Sequence, residues 1–99
     1  MGQYQPRISF DIPQARRHLV DVGFVYTLRA YPLPQGRRVK VRGLPDTYWQ
    51  EPLGLAPVSL EPWVVASGFS TVQEWRDIAT RLARGKPMFL YKVWRISRP

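Results

Sequence analysis

Residues 64–96 read VVASGFSTVQEWRDIATRLARGKPMFLYKVWRI, and this stretch decides the fold of the chain. Its centre carries apolar residues at helical spacing, namely Val72, Trp75, Ile78, Ala79 and Leu82. Residues spaced in this way share one face of a helix, and that face must cover an apolar surface. Ser70 and Gln73 have the spacing of a capping box, while Gly85 and Pro87 are typical of a helix end. We therefore expect a helix, capped by Ser70, that packs on a β-sheet.

The other segments predict short strands separated by turns. Strands are expected at 61–69 and 88–96 around this helix, and at 7–12, 24–31, 37–43 and 56–60 upstream. Pro13 predicts a second helix that ends before Gly23, with Asp11 as its cap. Residues 44–62 hold four prolines and predict an irregular loop apart from the strand at 56–60. The expected fold is therefore α+β, mainly β, in the form of a small barrel with two helices packed on it.

Length and composition limit the classes of protein that the chain can belong to. With 99 residues, 44% of them hydrophobic, the chain predicts one domain over residues 1–99 with its core at about 7–97. The absence of cysteine excludes disulfides, thiolate metal sites and thiol nucleophiles. His18 is the single histidine, and no glycine-rich phosphate loop occurs, so we expect neither a metal nor a cofactor.

The N-terminus lacks the apolar segment of a signal peptide, and no apolar run approaches the length that spans a bilayer. We therefore expect a soluble, cytoplasmic protein without membrane contact.

The formal net charge of +8 is distributed unevenly along the chain. Basic residues dominate from Arg16 to Arg42 and again from Arg76 onward, and each of these segments contains a single acidic residue. Residues 43–75 hold four acids and no base. Such polarity is typical of a surface that binds a polyanion such as nucleic acid. Solvated charge that merely keeps the protein soluble is the alternative.

Two stretches resemble the ASCH domains, which are small barrels of the PUA-like superfamily. The sequence GFVYTLRAY, residues 23–31, is similar to their G-x-K-T-x-T-x-R opening, with Thr27 and Arg29 on the T-x-R positions. Residues 67–96 are similar to their closing unit, in which a Gly-Phe-Ser turn starts a helix and a final strand returns to the barrel. The resemblance covers residues 8–96 and implies a PUA-like barrel. It also implies a cleft between the first helix and the barrel that binds RNA or nucleotide-like ligands.

The chain departs from the family pattern at Phe24, where the pattern has a lysine. Some bacterial ASCH members are amidohydrolases that act on an acetylated cytidine, and their chemistry uses this lysine with the threonine and a carboxylate. Without the lysine, a proton carrier for general acid–base catalysis is missing, and Thr27 has no identifiable activating partner. We therefore expect no catalytic residues. The enzyme alternative is a divergent amidohydrolase that acts on a modified nucleoside through Thr27 and an acid from residues 43–75.

A basic strand supplies the first group of predicted nucleic-acid contacts. Arg38, Lys40 and Arg42 lie at alternate positions, which spaces three cations about 6.6–7 Å apart and lets them follow phosphates along a strand. The alternative is a solvated outer face whose charges prevent edge aggregation.

Further contacts are predicted at Thr27 and Arg29 and at Arg16 and Arg17 of the first helix. The guanidinium of Arg29 can bind a phosphate through two donors or stack on a base. A structural salt bridge from Arg29 to Glu51 or Glu74 is the alternative.

Tyr48 and Trp49 complete the predicted contacts, as aromatic residues in the proline-flanked loop that can stack on an unpaired base. Alternatively, the two rings fold back on the core. The sequence thus predicts a non-catalytic domain that binds nucleic acid, RNA or a single strand, through a basic cleft beside the barrel. A small regulatory module that docks on an acidic protein is a further alternative.

Overall fold

Five short strands form one sheet in the computed structural model, which describes residues 5–98. The strands are β1 (Arg7–Ile8), β2 (Phe24–Arg29), β3 (Arg37–Val41), β4 (Thr47–Leu55) and β5 (Phe89–Ser97). Their order is β1-β3-β4-β5-β2, with β1 parallel to β3 and the other neighbours antiparallel. The sheet curls into a half-barrel, and its edge strands β1 and β2 do not pair with each other within residues 5–98. The predicted α+β class is confirmed. The first four residues and the last residue of the predicted domain lie outside the described part.

Three helices pack on this sheet: α1 (Pro13–Val22), α2 (Glu61–Val64) and α3 (Val72–Ala83). The first core cluster joins Ala15 and Leu19 of α1 to the valines of the sheet's core face, including Val25, Val39 and Val93. The second cluster joins α2 and α3 to the end of the sheet near Leu28 and Leu90. Within residues 5–98, no helix combines the length and the apolar character needed to cross a bilayer.

The two long helices occur where periodicity predicts them, but their caps differ from the prediction. Ile12 precedes α1 without a side-chain cap, so Asp11 does not cap it. Thr71 caps α3, since its Oγ1 accepts a hydrogen bond from the Glu74 N–H at 3.1 Å. The cap therefore lies one residue after Ser70, because the helix itself begins at Val72.

Two predictions for the middle of the chain are wrong. The expected strand at 61–69 is instead α2 followed by a turn, because Pro62 fits the first turn of a helix. The expected loop contains β4, which pairs with both β3 and β5. Pro52 is tolerated there because β3 begins at Arg37, opposite Gln50, so that β4 has no partner on that side beyond Gln50.

The strand expected at the N-terminus is shorter in the structure, and the strand expected at 56–60 is absent. Of the expected strand at 7–12, the structure retains Arg7–Ile8. The segment 56–60 lies after the end of β4 and is not a strand.

Candidate nucleic-acid interface

A cleft of about 150 Å³ opens beside β2, between the segment that precedes α1 and the inner side of α3. Thr27 and Arg29 come from β2, Phe10 and Asp11 from the preceding segment, and Trp75 and Ala79 from α3. The walls are mainly apolar, so a polar group that faces the cleft has few partners in the protein.

The pleat of β2 brings Thr27 and Arg29 to the same face of the sheet. They alternate with Leu28 and follow Val25, which is fully buried in the core. Since alternate residues of a strand share one face, the T-x-R spacing is enough to direct both side chains to the core side of β2. A cleft therefore lies beside Thr27 and Arg29, but α3 forms most of its helical wall, whereas the resemblance implies a cleft between the first helix and the barrel.

Arg29 is the one cation among the described residues that line the cleft. Its Nε is buried and has no hydrogen-bond partner among residues 5–98, and it makes no salt bridge to Glu51 or Glu74. Burial lowers the pKa of Arg29, while Tyr31, Asp11 and Tyr91 act in the opposite direction. An arginine stays protonated despite such a shift, so the cleft holds a cation. Asp11 lines the same cleft and acts on Arg29 through its charge, but it lies beyond salt-bridge distance of the guanidinium.

The edge of β2 adds backbone groups to this cleft. The Tyr26 N–H points away from β5 and donates to the Ala66 carbonyl at 2.8 Å. In an antiparallel pair the outward-pointing groups recur at every second residue, so the N–H and C=O of Leu28 point the same way. Leu28 lines the cleft and β2 is the last strand of the sheet. The cleft therefore offers a backbone donor and an acceptor beside the guanidinium.

The other predicted cations do not converge on this cleft. Arg16 lies on α1 and donates from Nη1 to the Arg42 carbonyl at 2.8 Å, which joins the two residues beside the turn after β3. Arg17 is exposed elsewhere on α1, next to His18. A basic cleft, as the sequence predicts it, is therefore not formed, since Arg29 is its one cation among the described residues.

Arg38 and Lys40 lie on the other face of β3, turned away from the core. Arg38 is exposed, whereas the Lys40 ammonium donates to the Pro45 carbonyl at 3.0 Å. Arg42 lies just beyond the end of the strand and is also exposed. The alternation from Val39 to Val41 fixes this arrangement, because both valines are buried.

Tyr48 and Trp49 lie in β4 and point to opposite faces of the sheet. Tyr48 is 1% exposed, so it belongs to the core and offers no stacking surface. This agrees with the alternative prediction, in which the ring folds back on the core. Burial raises the pKa of Tyr48, and the neighbouring Arg95 guanidinium opposes the rise. Trp49 is partly exposed on the other face, where its Nε1 donates to Glu51 Oε1 at 2.8 Å.

Most of the residues that surround Trp49 are not among the predicted contacts. Strand register places Arg38, Trp49, Trp94 and Phe24 opposite one another in a single row across four strands. Together with their neighbours they form what we call the open sheet face: Arg7, Phe24, Arg38, Lys40, Trp49, Glu51, Lys92 and Trp94. Each of these side chains is at least partly exposed. The alternation of Lys92 and Trp94 with the apolar Tyr91 and Val93 is the sequence pattern that could have indicated this face, because alternate residues of a strand lie on opposite faces.

The cleft offers little for acid–base or metal chemistry. Phe24, at the position where the ASCH pattern has a lysine, lies on the open sheet face, and the described residues that line the cleft include no lysine or histidine. Asp11 is the one carboxylate among the described residues that line it, and none of the acids of residues 43–75 does so. Within residues 5–98, no group of three or more potential ligands is arranged to hold a metal ion.

No protein-family model, curated protein or solved structure matches this chain. The resemblance to ASCH domains therefore stays a prediction that depends on its two motifs.

Proposed function

We propose that this protein is a non-catalytic, PUA-like domain of the ASCH type that binds unpaired nucleic acid, RNA or another single strand. The observation that carries the proposal is Arg29, a buried guanidinium without a partner for its Nε in a small apolar cleft. Asp11 shares the cleft but makes no salt bridge with Arg29. Burying a charge without a close partner is costly, so binding of an anionic ligand beside Arg29 is favoured. The T-x-R motif supports the same assignment.

The size and walls of the cleft favour a single ring as the group that enters it. A cavity of about 150 Å³ accommodates a benzene-sized molecule. Phe10, Phe69 and Trp75 supply aromatic walls, and the backbone of Leu28 supplies hydrogen bonds to the edge of a base. A base in a duplex is stacked and must be extruded to enter such a site, whereas a base in a single strand is accessible. The bound base brings its phosphate toward Arg29.

The excess of positive charge supports a nucleic acid over a neutral ligand. The chain carries 15 basic and 7 acidic side chains, a balance that accelerates encounter with a polyanion. Arg16 and Arg42, which meet beside the turn after β3, are the proposed additional phosphate contacts outside the cleft. Arg17 is assigned the same role on the exposed side of α1.

Binding of a labelled single-stranded RNA of about ten nucleotides, followed by fluorescence anisotropy, tests this proposal. Arg29→Met removes the charge and retains the length of the side chain, so we expect affinity to fall by about 10- to 150-fold. Arg81→Met is the matched control, because Arg81 is exposed on α3, and it should change affinity by no more than about twofold. Equal affinities for Arg29→Met and the unmodified protein would contradict the proposal.

A second candidate is hydrolysis of a modified nucleoside, which the presence of Thr27 and Asp11 in one cleft favours. In this candidate Asp11, rather than an acid of residues 43–75, supplies the carboxylate. Incubation with a mixture of acylated nucleosides and mass spectrometry of the products distinguishes the two functions. A product that forms with the unmodified protein but not with Thr27→Val would establish hydrolysis. Binding without any product supports the non-catalytic function.

A further inference from the structure

The open sheet face combines aromatic rings and cations in one register row. Arg38 pairs with Trp49, Trp49 with Trp94, and Trp94 with Phe24. Directly paired residues of neighbouring strands share a face, so these four side chains lie side by side across β3, β4, β5 and β2. At the usual spacing between strands it extends over about 14 Å.

Basic side chains surround this aromatic row. Arg7 pairs with Lys40 at one edge of the sheet, beside the Arg38 end of the row. At the other end, the Lys92 ammonium lies 5.1 Å from the Phe24 ring centroid and 5.3 Å from that of Trp94. These cation–π contacts hold the charge of Lys92 close to the rings.

A single acid occupies the described part of this face, and it is already engaged. Glu51 pairs with Lys92 across the sheet and accepts the Trp49 Nε1–H. Elsewhere on the sheet, Asp46 forms a salt bridge with Arg95 at 2.8 Å, so that pair adds no net charge. The open sheet face therefore has a positive balance, with Arg7, Arg38, Lys40 and Lys92 opposed by Glu51.

We propose that the open sheet face is a second contact surface for nucleic acid, on which two or three consecutive unpaired bases stack. Trp49, Trp94 and Phe24 supply the stacking surface, while Arg38 and Lys40 bind the phosphates at the β3 end. Aromatic side chains stack on every base, and cations along the same track neutralise the backbone. An acidic protein would match the charge but would leave the aligned aromatic side chains without a function. This inference depends on the proposed function, because it assigns a second surface to the same ligand.

Quenching of tryptophan fluorescence distinguishes stacking from charge, because a surface that binds through charge alone would not quench its tryptophans. A single-stranded oligouridylate of about ten nucleotides is titrated against the full chain, and quenching is recorded together with anisotropy. Trp75 lines the cleft and can also be quenched, so the titration is repeated with Arg29→Met. We expect quenching to persist at saturation in Arg29→Met. Quenching that disappears there would assign all stacking to the cleft and overturn this inference while leaving the proposed function intact.

Two further variants separate stacking from charge. Trp94→Leu should weaken binding by about 5- to 150-fold, the loss expected for one stacked base, and should remove much of the quenching. Arg38→Ala should reduce the slope of log affinity against log salt by about 0.7, the value for one phosphate of a single strand. Arg81→Ala is the exposed control and should leave the slope unchanged. Thermal melting of each variant verifies that it is folded.

The remaining outcomes each decide against the inference in a distinct way. Unchanged affinity and quenching in both Trp94→Leu and Arg38→Ala would remove the open sheet face from the interface, even if Arg29→Met abolishes binding. Binding of poly-glutamate as tightly as the oligonucleotide, with no effect of Trp94→Leu on either, would make the surface one for acidic proteins. If the unmodified protein binds no single strand at all, the proposed function fails as well.

Discussion

The guanidinium carbon of Arg29 lies 4.7 Å from the centroid of the Phe10 ring. Phe10 is buried and lies in the segment before α1, whereas Arg29 ends β2, so the contact joins two walls of the cleft. The ring attracts the cation through its π-face and occupies none of the guanidinium N–H donors. Arg29 is thus held in place by the ring and forms no salt bridge among residues 5–98, so its N–H donors are available to an anion.

Arg29→Met should therefore increase stability while it impairs binding. A buried cation whose Nε lacks a partner is replaced by an apolar side chain of similar length, which removes the desolvation cost. We expect the free energy of unfolding to rise by about 1 kcal/mol and Tm by about 4–8 °C. Thermal melting followed by circular dichroism measures this, with Arg81→Met as control. A fall in Tm would identify Arg29 as a structural residue instead.

The elements that the sequence predicts well are those whose pattern does not depend on distant residues. The apolar periodicity of α3 and the alternation of Val39 and Val41 in β3 are local, and both elements are observed. The T-x-R spacing likewise directs Thr27 and Arg29 to one face without reference to the rest of the fold.

The elements that it misses depend on partners that are remote along the chain. β4 contains Pro52, and the proline is tolerated because the pairing of β4 with β3 stops at Gln50, which a local pattern does not reveal. The row from Arg38 to Phe24 arises from the registers of three strand pairs, so the open sheet face cannot be seen before the pairing is known. The convergence of basic residues on one cleft was inferred from their density along the chain, and density does not specify position.

Thr71→Ala should destabilise the protein, whereas Ser70→Ala should not. Thr71 Oγ1 satisfies the Glu74 N–H at the start of α3, and loss of such a cap costs about 1 kcal/mol. We expect Tm to fall by about 4–8 °C. Ser70 is exposed and precedes the cap, so its variant is a matched control. Equal effects of the two substitutions would contradict the capping geometry.

Gly68→Ala should be far more damaging than Gly54→Ala. Both glycines have positive φ, at +89° and +101°, so alanine introduces backbone strain at each position. A Cβ at Gly68 would also collide with the backbone of Gln14 and Ala15 in α1, whereas a Cβ at Gly54 meets nothing within 4 Å. We expect Gly54→Ala to cost about 1 kcal/mol and Gly68→Ala at least about 2–3 kcal/mol. Urea denaturation measures both, and similar midpoints would contradict the close packing of residue 68 on α1.

Stability should decline at alkaline pH, and Tyr91 should account for part of the decline. Burial raises the pKa of Tyr91 above its ordinary value of 10.0, with Tyr31 adding to the rise and Arg37 and Arg29 opposing it. Above about pH 10, the unfolded state therefore loses a proton that the folded state retains, so the unfolded state binds fewer protons and the free energy of unfolding falls as pH rises. Below that pH this contribution is fully present.

Tyr91→Phe should reduce the slope of stability against pH between about pH 9 and about pH 11, as measured by urea denaturation at each pH. At neutral pH the same variant should lose about 1 kcal/mol, because the Tyr91 hydroxyl donates a hydrogen bond to the Tyr31 carbonyl. The neutral-pH loss and the alkaline slope are separate readouts, since a phenylalanine lacks both the hydrogen bond and the titrating group. An alkaline slope in Tyr91→Phe as steep as that of the unmodified protein would show that the hydroxyl of Tyr91 ionises as readily in the folded state as in the unfolded state.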